Sequence, residues 1–427
     1  MATGVAAGAA VETARRWWSG SAQDWSTTVL EGLDPDSLAR QLGRMRGAAM
    51  KLGQLLSMEA EDILPAPLAT ALATLRASGH TMSAAQLHGV LGREYGRGWR
   101  RRFREFDETP IAAASIGQVH RAVAADGRML ALKIQFPGVA KSIDSDVGNL
   151  GTLLRISGVL PEGFDATALL GEVKWQLRRE TDYLAEADHL RSYRELVADM
   201  PSVLVPAMHP DLTTKRILAM DLIEAAPVDA LWRDRHPKER RDRVASLIQA
   251  IVFRELFEFG LMQSDPNFAN YLYDPEHERL VLLDFGATID VSPQLRDRYR
   301  TIVEAAVQSD LDAVANHLVE FGWAPAGLSL DQRLGLASFV HLSVEPLRAD
   351  GPYDYGASDL SARARKATLD LAFRQGVRHP PPPELVFVQR KLSGTYAMCT
   401  ALGAHVDSGG MLRRFLAGEP AASLAPR

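Results

Sequence analysis

The chain has 427 residues, enough for two or three structural units at about 150 residues each and for a sizeable core. Lys and Arg number 48 against 53 Asp and Glu, a formal net charge of -5, which removes the broad basic footprint of a nucleic-acid binder. The single cysteine, Cys399, excludes an intrachain disulfide and any cysteine-built zinc or iron–sulfur site, so a reducing compartment, by default the cytoplasm, is expected. No run approaches the roughly 20 apolar residues that span a bilayer. Ala2 to Ala10 is too short and has no basic flank before it, so neither a transmembrane helix nor a signal peptide is expected.

From Val11 to about Leu91 the apolar residues recur at three- and four-residue steps (Leu38, Leu42, Met45, Ala49, Leu52), which predicts a helical unit. Pro65 and Pro67 interrupt it, Leu68, Leu72 and Leu75 resume it, and Thr81-Met82-Ser83 offers a cap for a further helix. Arg97, Arg100, Arg101, Arg102 and Arg104 follow. Such a cluster is most simply a solvated face, and otherwise a site for anionic headgroups or a partner.

Between Phe106 and Phe136 the period shifts towards two. Asp126-Gly127 lies between two apolar segments and predicts a hairpin whose two central residues take positive φ. One long helix is expected from Thr167 to about Asp199. Two strands, Ser202 to Pro206 and Arg216 to Ile223, are expected to extend the same small sheet. Beyond Pro227 the chain reads as helical except around Gly260 to Asp290, where Asn270 to Tyr273 and Leu280 to Leu283 look like short strands. The expected division is a helical extension over 1–105, a sheet-bearing lobe with inserted helices over 106–224, and a helical lobe over 225–427.

Four pieces carry chemistry. Lys133 stands inside the apolar strand Leu130 to Ile134, where a desolvated cation needs an anionic partner; taken alone, such a lysine is more often a snorkelling or edge residue, and it gains weight only in company. In phosphoryl transfer such a lysine contacts nucleotide phosphates and is held by a helix glutamate. Asp265-Pro-Asn-Phe-Ala-Asn270 sets an aspartate and an asparagine five positions apart, the spacing of a loop that orients the attacking oxygen and binds magnesium, although Asp-Pro-Asn alone reads as a turn. Asp284-Phe-Gly ends an apolar strand fourteen residues after Asn270, and its carboxylate could bridge Mg2+ and phosphates; Asn270 and Asp284 supply only oxygen ligands, which suits that ion. Finally, the loop before the Lys133 strand reads Ala112-Ala113-Ala114-Ser115-Ile116-Gly117 where a glycine-rich phosphate loop is expected. Alanine obstructs positive φ, so this loop should be stiffer, which argues against an ordinary protein kinase.

Taken together, Lys51-Leu-Gly53-Gln54, the Ala112 to Gln118 loop, Glu180-Thr-Asp182 with Glu186, Asp265 to Asn270, and Asp284-Phe-Gly resemble the AarF/UbiB family of atypical kinases. The wording Gln263-Ser-Asp-Pro-Asn-Phe-Ala-Asn270 is more similar to its coenzyme Q kinase-like branch than to the UbiB branch, and Gln389-Arg390-Lys391-Leu392-Ser393-Gly394 also looks familial. The resemblance implies an α+β, protein-kinase-like bilobal fold: a small β-sheet N-lobe, a helical C-lobe and an N-terminal helical extension over the active site. It implies that Lys51 and Gln54 act as regulatory residues, with Lys51 near Glu180 and Asp182, and that Glu186 pairs with Lys133. On one helix, residues six apart point roughly 240° from each other, so Glu180 and Glu186 could not both face one lysine, whereas Asp182 and Glu186 share a face. The Ala112, Ala113, Ala114 and Ser115 loop would cover the nucleotide. Backbone groups around Asp221 and Ile223 would hold adenine.

The implied activity is that of an ATP- or ADP-binding, Mg2+-dependent phosphotransferase or ATPase. Lys133, Glu186 and Asp265 would be its catalytic residues, and isoprenoid-quinone biosynthesis the process it supports. A quinone precursor or isoprenoid lipid is the expected small-molecule partner, with peripheral contact at the inner face of a membrane through Trp17-Trp18 or the basic cluster. The alternative is a nucleotide-gated lipid- or complex-binding module with little turnover. A phosphotransferase of the aminoglycoside type gives no reason for Lys51 to Gln54. His120 and His405 read as structural, because no histidine shows metal-ligand spacing.

Overall fold

The computed structural model describes residue 51 and residues 81–156, 167–233, 236–377 and 382–419. Gln54, the helices expected over 11–80 apart from Lys51, Trp17-Trp18 and the chain's last eight residues lie outside the described residues. Two compact units are distinguished: one holds the residues up to Arg191 plus Pro206–Ile223, the other Ser192–Val205 plus the chain from Glu224.

In the first unit Ser83 caps α1 (Ala84–Tyr95) through a reciprocal box: its hydroxyl accepts from Gln86 N at 3.3 Å and Gln86 Oε1 accepts from Ser83 N at 3.1 Å. Leu87, Val90 and Leu91 form the helix's buried stripe. A 3-10 turn, Trp99–Arg102, leads into β1 (Phe103–Phe106), β2 (Ala112–Ala113), β3 (Gly117–Ala124) and β4 (Met129–Gln135). The helices α2 (Val139–Ile156), α3 (Thr167–Glu180) and α4 (Tyr183–Leu196, its residues from Ser192 assigned to the second unit) come next, then β5 (Val203–Leu204), also of the second unit, and β6 (Ile217–Asp221), back in the first. The sheet is antiparallel in the order β1-β3-β4-β6, with β2 pairing β3.

Leu130, Leu132 and Ile134 share one face of β4 and pack with Leu87, Val90, Leu91, Trp99 and Phe103 in a single core. The strand period of two puts Lys133 on the opposite face. Residues 81–105, assigned from the sequence to the helical extension, therefore share their core with the sheet.

Three expectations are corrected. The β3–β4 connection is not a two-residue turn: Ala124 N donates to Arg128 O, enclosing Ala125, Asp126 and Gly127, and only Gly127 takes positive φ, at 98°. The long helix from Thr167 breaks at Thr181-Asp182. Asp182 Oδ1 accepts from Ala185 N at 3.1 Å and so caps a new helix, α4. Finally, β5 does not extend the first sheet; it belongs to the second unit and pairs parallel to that unit's strand Arg279–Leu282.

The second unit orders its larger sheet β5-β10-β9-β7, from β7 (Ala226–Pro227), β9 (Tyr271–Asp274) and β10 (Arg279–Leu282). A smaller ribbon joins β8 (Leu261–Gln263) to β11 (Thr288–Asp290). The helix α5 (Lys238–Arg254) buries Val244, Leu247, Ile248 and Ile251 at helical spacing and runs into a π-turn, Glu255–Phe259, stopped by Gly260 at φ 68°. Then follow α6 (Pro293–Val307), α7 (Leu311–Glu320), α8 (Leu330–Ser343), β12 (Tyr353–Asp354), α9 (Leu360–Phe373), α10 (Pro383–Leu402), β13 (His405–Val406) and α11 (Ser408–Leu416).

The closest constraint on the sheet is at Gly117, where a Cβ would stand 2.5 Å from Ile134 O and 2.9 Å from Tyr183 Oη. One of those atoms is backbone and cannot step aside. Gly117→Ala should therefore lower the unfolding free energy by about 1–3 kcal/mol, measured as a shift of the urea midpoint at unchanged slope.

Candidate active site

Two groups of the residues selected from the sequence assemble, one in each unit. In the first unit Lys133 Nζ lies 2.7 and 3.0 Å from the two carboxylate oxygens of Glu186. Both side chains are buried, and the ammonium also lies 5.4 Å from the centre of the Tyr183 ring. The strand supplies the lysine and the cap at Asp182 starts the helix that supplies the glutamate. Lys51 Nζ is 2.7 Å from Glu180 Oε1, with Lys51 1% exposed. The other oxygen of Glu180 accepts from Ser115 Oγ, so the last residue of α3 joins Lys51 to the Ala-rich loop.

That loop lies flat. Ala112 and Ala113 are exposed and pair with Val119 and Gln118, and Ala114 N donates to Gly117 O at 2.9 Å. None of its alanines takes positive φ, as the Cβ argument required. The segment around Asp221 is occupied locally: Asp221 N donates to Ala207 O, and its carboxylate accepts from Ala207 N and contacts His209 Nε2 at 2.8 Å. Ile223 follows beyond the strand, half-buried. His120 is structural: Nδ1 donates to Asp107 O at 2.8 Å, Nε2 accepts from Gln118 Nε2 at 2.6 Å, and burial pushes its pKa down. The basic cluster is partly spent on local contacts. Arg100 binds Glu108 and lies over Trp99, Arg102 lies over Tyr95, and Arg104 donates to Ala125 O.

In the second unit Asp265 and Asn270 share one tight loop. Asn267 N and Asn270 Nδ2 both donate to Asp265 O, at 2.9 and 3.1 Å. This commits one hydrogen of the Asn270 amide nitrogen. Asn270 O in turn accepts from Leu283 N at 2.8 Å, which stitches the asparagine loop to the residue before Asp284. Asp284 itself has φ 58°, a left-handed conformation that costs a non-glycine residue on the order of 1 kcal/mol or more and persists only where its surroundings impose it. They do so here: Gly286 N donates to Asp284 Oδ1 at 3.2 Å, and Gln263 Nε2 donates to Leu283 O and Asp284 O at 2.7 and 2.6 Å. The Phe285 ring is buried against Tyr193, with centroids 4.7 Å apart.

Among the described residues no group of three or more His, Cys, Asp or Glu gathers as a self-sufficient metal site. One carboxylate and one amide oxygen fit instead an ion whose remaining positions are filled by phosphate oxygens and water. Reading the sequence missed the Gln263 clamp and the Tyr193 stack. The signal available for Gln263 was an amide in an otherwise apolar strand, Leu261–Gln263.

A small antiparallel sheet with a buried Lys–Glu pair, and a helical unit with an Asp–Asn loop ahead of Asp-Phe-Gly, define a protein-kinase-like α+β fold. A family model described as the ABC1 atypical kinase-like domain matches residues 74–318. The chain is 35% identical over 408 residues to Atypical kinase COQ8B, mitochondrial, of Rattus norvegicus, spanning 95% of this chain and 76% of the relative. It is 32% identical over 419 residues to Atypical kinase COQ8, mitochondrial, of Saccharomyces cerevisiae, spanning 98% and 83% respectively. Among solved structures, Rv3197 of Mycobacterium tuberculosis, solved as a complex with erythromycin, aligns with a TM-score of 0.62 and 26% identity, over 91% of this chain and 97% of that chain. The chain belongs to the ABC1 atypical kinase-like family. No helix among the described residues is long and apolar enough to cross a membrane.

The Lys133–Glu186 pair carries a stability prediction. Lys133→Met leaves Glu186 buried with its main cation gone and should cost about 3–5 kcal/mol. Adding Glu186→Gln should recover more than half of that loss in urea denaturation, because the stranded charge is removed as well.

Proposed function

We propose that this chain binds Mg2+–ATP or ADP and acts as an unorthodox small-molecule kinase or ATPase, not as a protein kinase, in support of isoprenoid-quinone biosynthesis. The observation that carries the nucleotide part is the buried Lys133–Glu186 pair, a strand lysine held by a helix glutamate, the arrangement that presents an ammonium to nucleotide phosphates in phosphoryl transfer. Lys133 holds the α- and β-phosphates, Glu186 fixes the ammonium, and Asp265 orients the attacking oxygen of the acceptor or of water. Asn270 Oδ1 and the Asp284 carboxylate hold the metal. A bound Mg2+ supplies neutralisation of charge on the phosphates. The Ala112–Ser115 loop covers the nucleotide, and backbone groups by Asp221 and Ile223 receive the base.

Lys51 and Glu180 serve as a restraint in this reading. Their pair, tied to Ser115, leaves the covering loop less freedom than glycines would give, which supports a slow enzyme closed to protein substrates. The quinone part rests on the COQ8 relatives alone. A peripheral contact with membrane lipid, through the exposed arginines near Arg97–Arg104, is part of the same reading.

ATP turnover with Mg2+, with and without anionic liposomes and a phenolic quinone-precursor analogue, tests the proposal. Asp284→Asn should lose more turnover than the roughly 10- to 100-fold that changes around a metal's outer shell cost. Lys51→Ala should raise or redirect turnover. Nucleotide binding without turnover in any condition would select the gated lipid- or complex-binding module, and unchanged Mg2+–nucleotide affinity in Asp284→Asn would remove the metal assignment.

A further inference from the structure

The interior of the second unit holds a further buried lysine–glutamate pair, the third among the described residues, that the reading above does not use. Lys391, on α10, is fully buried; its Nζ lies 2.9 and 3.2 Å from the two oxygens of Glu255 in the π-turn and 3.1 Å from Tyr271 Oη. Tyr271 Oη is 3.1 Å from Gln263 Oε1, and Gln263 Nε2 is the group that binds the Leu283 and Asp284 carbonyls. Glu255 accepts in addition from Gln263 N at 3.0 Å and from the Tyr193 hydroxyl. Lys391, Glu255, Tyr271 and Gln263 are each no more than 2% exposed.

The direction of every bond in this chain follows from its first member. An ammonium donates and cannot accept, so the Tyr271 oxygen must receive from Lys391 and send its own proton on. The Tyr271 hydroxyl has the Gln263 Oε1, 3.1 Å away, to donate it to. Gln263 must then present its oxygen to Tyr271, which leaves both amide hydrogens for the two carbonyls. A flipped amide would set its oxygen against two carbonyl oxygens at hydrogen-bond distance. Burial alone would push Lys391 down, but Glu255 and Tyr271 hold it above the ordinary lysine range, so the ammonium that fixes the polarity is permanent at neutral pH.

We propose that Lys391 is a positioning residue for the metal-ligand loop: through Tyr271 it orients the Gln263 amide that grips the Leu283 and Asp284 carbonyls, and so sets the affinity of the Asp284 site for a divalent cation. The inference rests on the reading of Asn270 and Asp284 as metal ligands. It makes a helix near the C-terminal end of the chain, more than a hundred residues from Asp284, part of the site's construction.

The test is Mg2+-dependent binding of a fluorescent ADP to the full chain, with the melting temperature of the nucleotide-free protein measured alongside. Tyr271→Phe removes one oxygen and keeps the ring. The Lys391→Met/Glu255→Gln double variant removes the ammonium without stranding a charge. Tyr273→Phe is the control, a buried tyrosine outside the chain of bonds. Tyr271→Phe and the double variant should each raise the Mg2+ midpoint by roughly tenfold, with metal-free ADP binding unchanged, while Tyr273→Phe leaves the midpoint in place. An unmoved midpoint in Tyr271→Phe beside a responsive wild type overturns the inference alone, as does an equal shift in Tyr273→Phe. A wild type whose ADP binding ignores Mg2+ overturns the metal assignment, and the inference with it.

Discussion

A lysine ammonium taken out of water must find an anion at hydrogen-bond distance, because the desolvation cost of an unpaired ion is several kcal/mol even after relaxation. The described parts of this chain are organised around three such pairs: Lys133 with Glu186, Lys51 with Glu180, and Lys391 with Glu255. Each lysine and glutamate comes from a different segment, so each pair fixes the relative position of two elements in a way that apolar packing alone does not. Leucine against leucine tolerates a small slide. A bidentate contact at 2.7 and 3.0 Å does not.

The first two pairs are kept apart by a single break in the helix. Had residues 167–199 formed one helix, Glu180 and Glu186 would project in fixed and divergent directions, with Asp182 on the same face as Glu186. The break at Thr181-Asp182 frees the two acids from that relation. Glu180 becomes the end of α3, facing Lys51 and Ser115; Glu186 lies in the first turn of α4, facing Lys133. Asp182 contributes a hydrogen bond to the new helix. The division of labour between the acids is thus made by a capping residue.

The legible parts of the sequence were those governed by local rules. Alternation and the Asp-Gly turn locate β3 and β4, the Ser83 cap locates α1, and Lys133 stands out through its company, the Asp265 to Asn270 loop and Asp284-Phe-Gly. Periodicity failed where a polar side chain outcompeted it. Leu170, Val173 and Leu177 run in step towards Leu184 and Leu190, and nothing in that rhythm reveals that Asp182 caps its own backbone three residues on. The partner of β5 was equally hidden, since a two-residue strand carries no record of which sheet edge receives it. Lys391 follows Gln389 and Arg390, and Glu255 follows Arg254, so neither stands out in its run; they lie 136 residues apart and only the fold shows that one explains the other.

The same economy governs the loop at Asp284. Asp284 sits at φ 58°, a conformation an aspartate adopts at a cost, and a carboxylate held there cannot relax into the nearby right-handed region without moving its peptide. Two carbonyls flanking that residue are bound by one amide, and the orientation of the amide is imposed from the interior by a residue that can only donate. A softer arrangement, with water in place of Gln263, would satisfy the carbonyls equally well but would let the peptide rotate. Rigidity at this point has a chemical use. Under the proposed function a divalent cation held by Asn270 and Asp284 would take the rest of its shell from its surroundings, so the angle at which those two oxygens are presented would decide whether phosphate or water completes it.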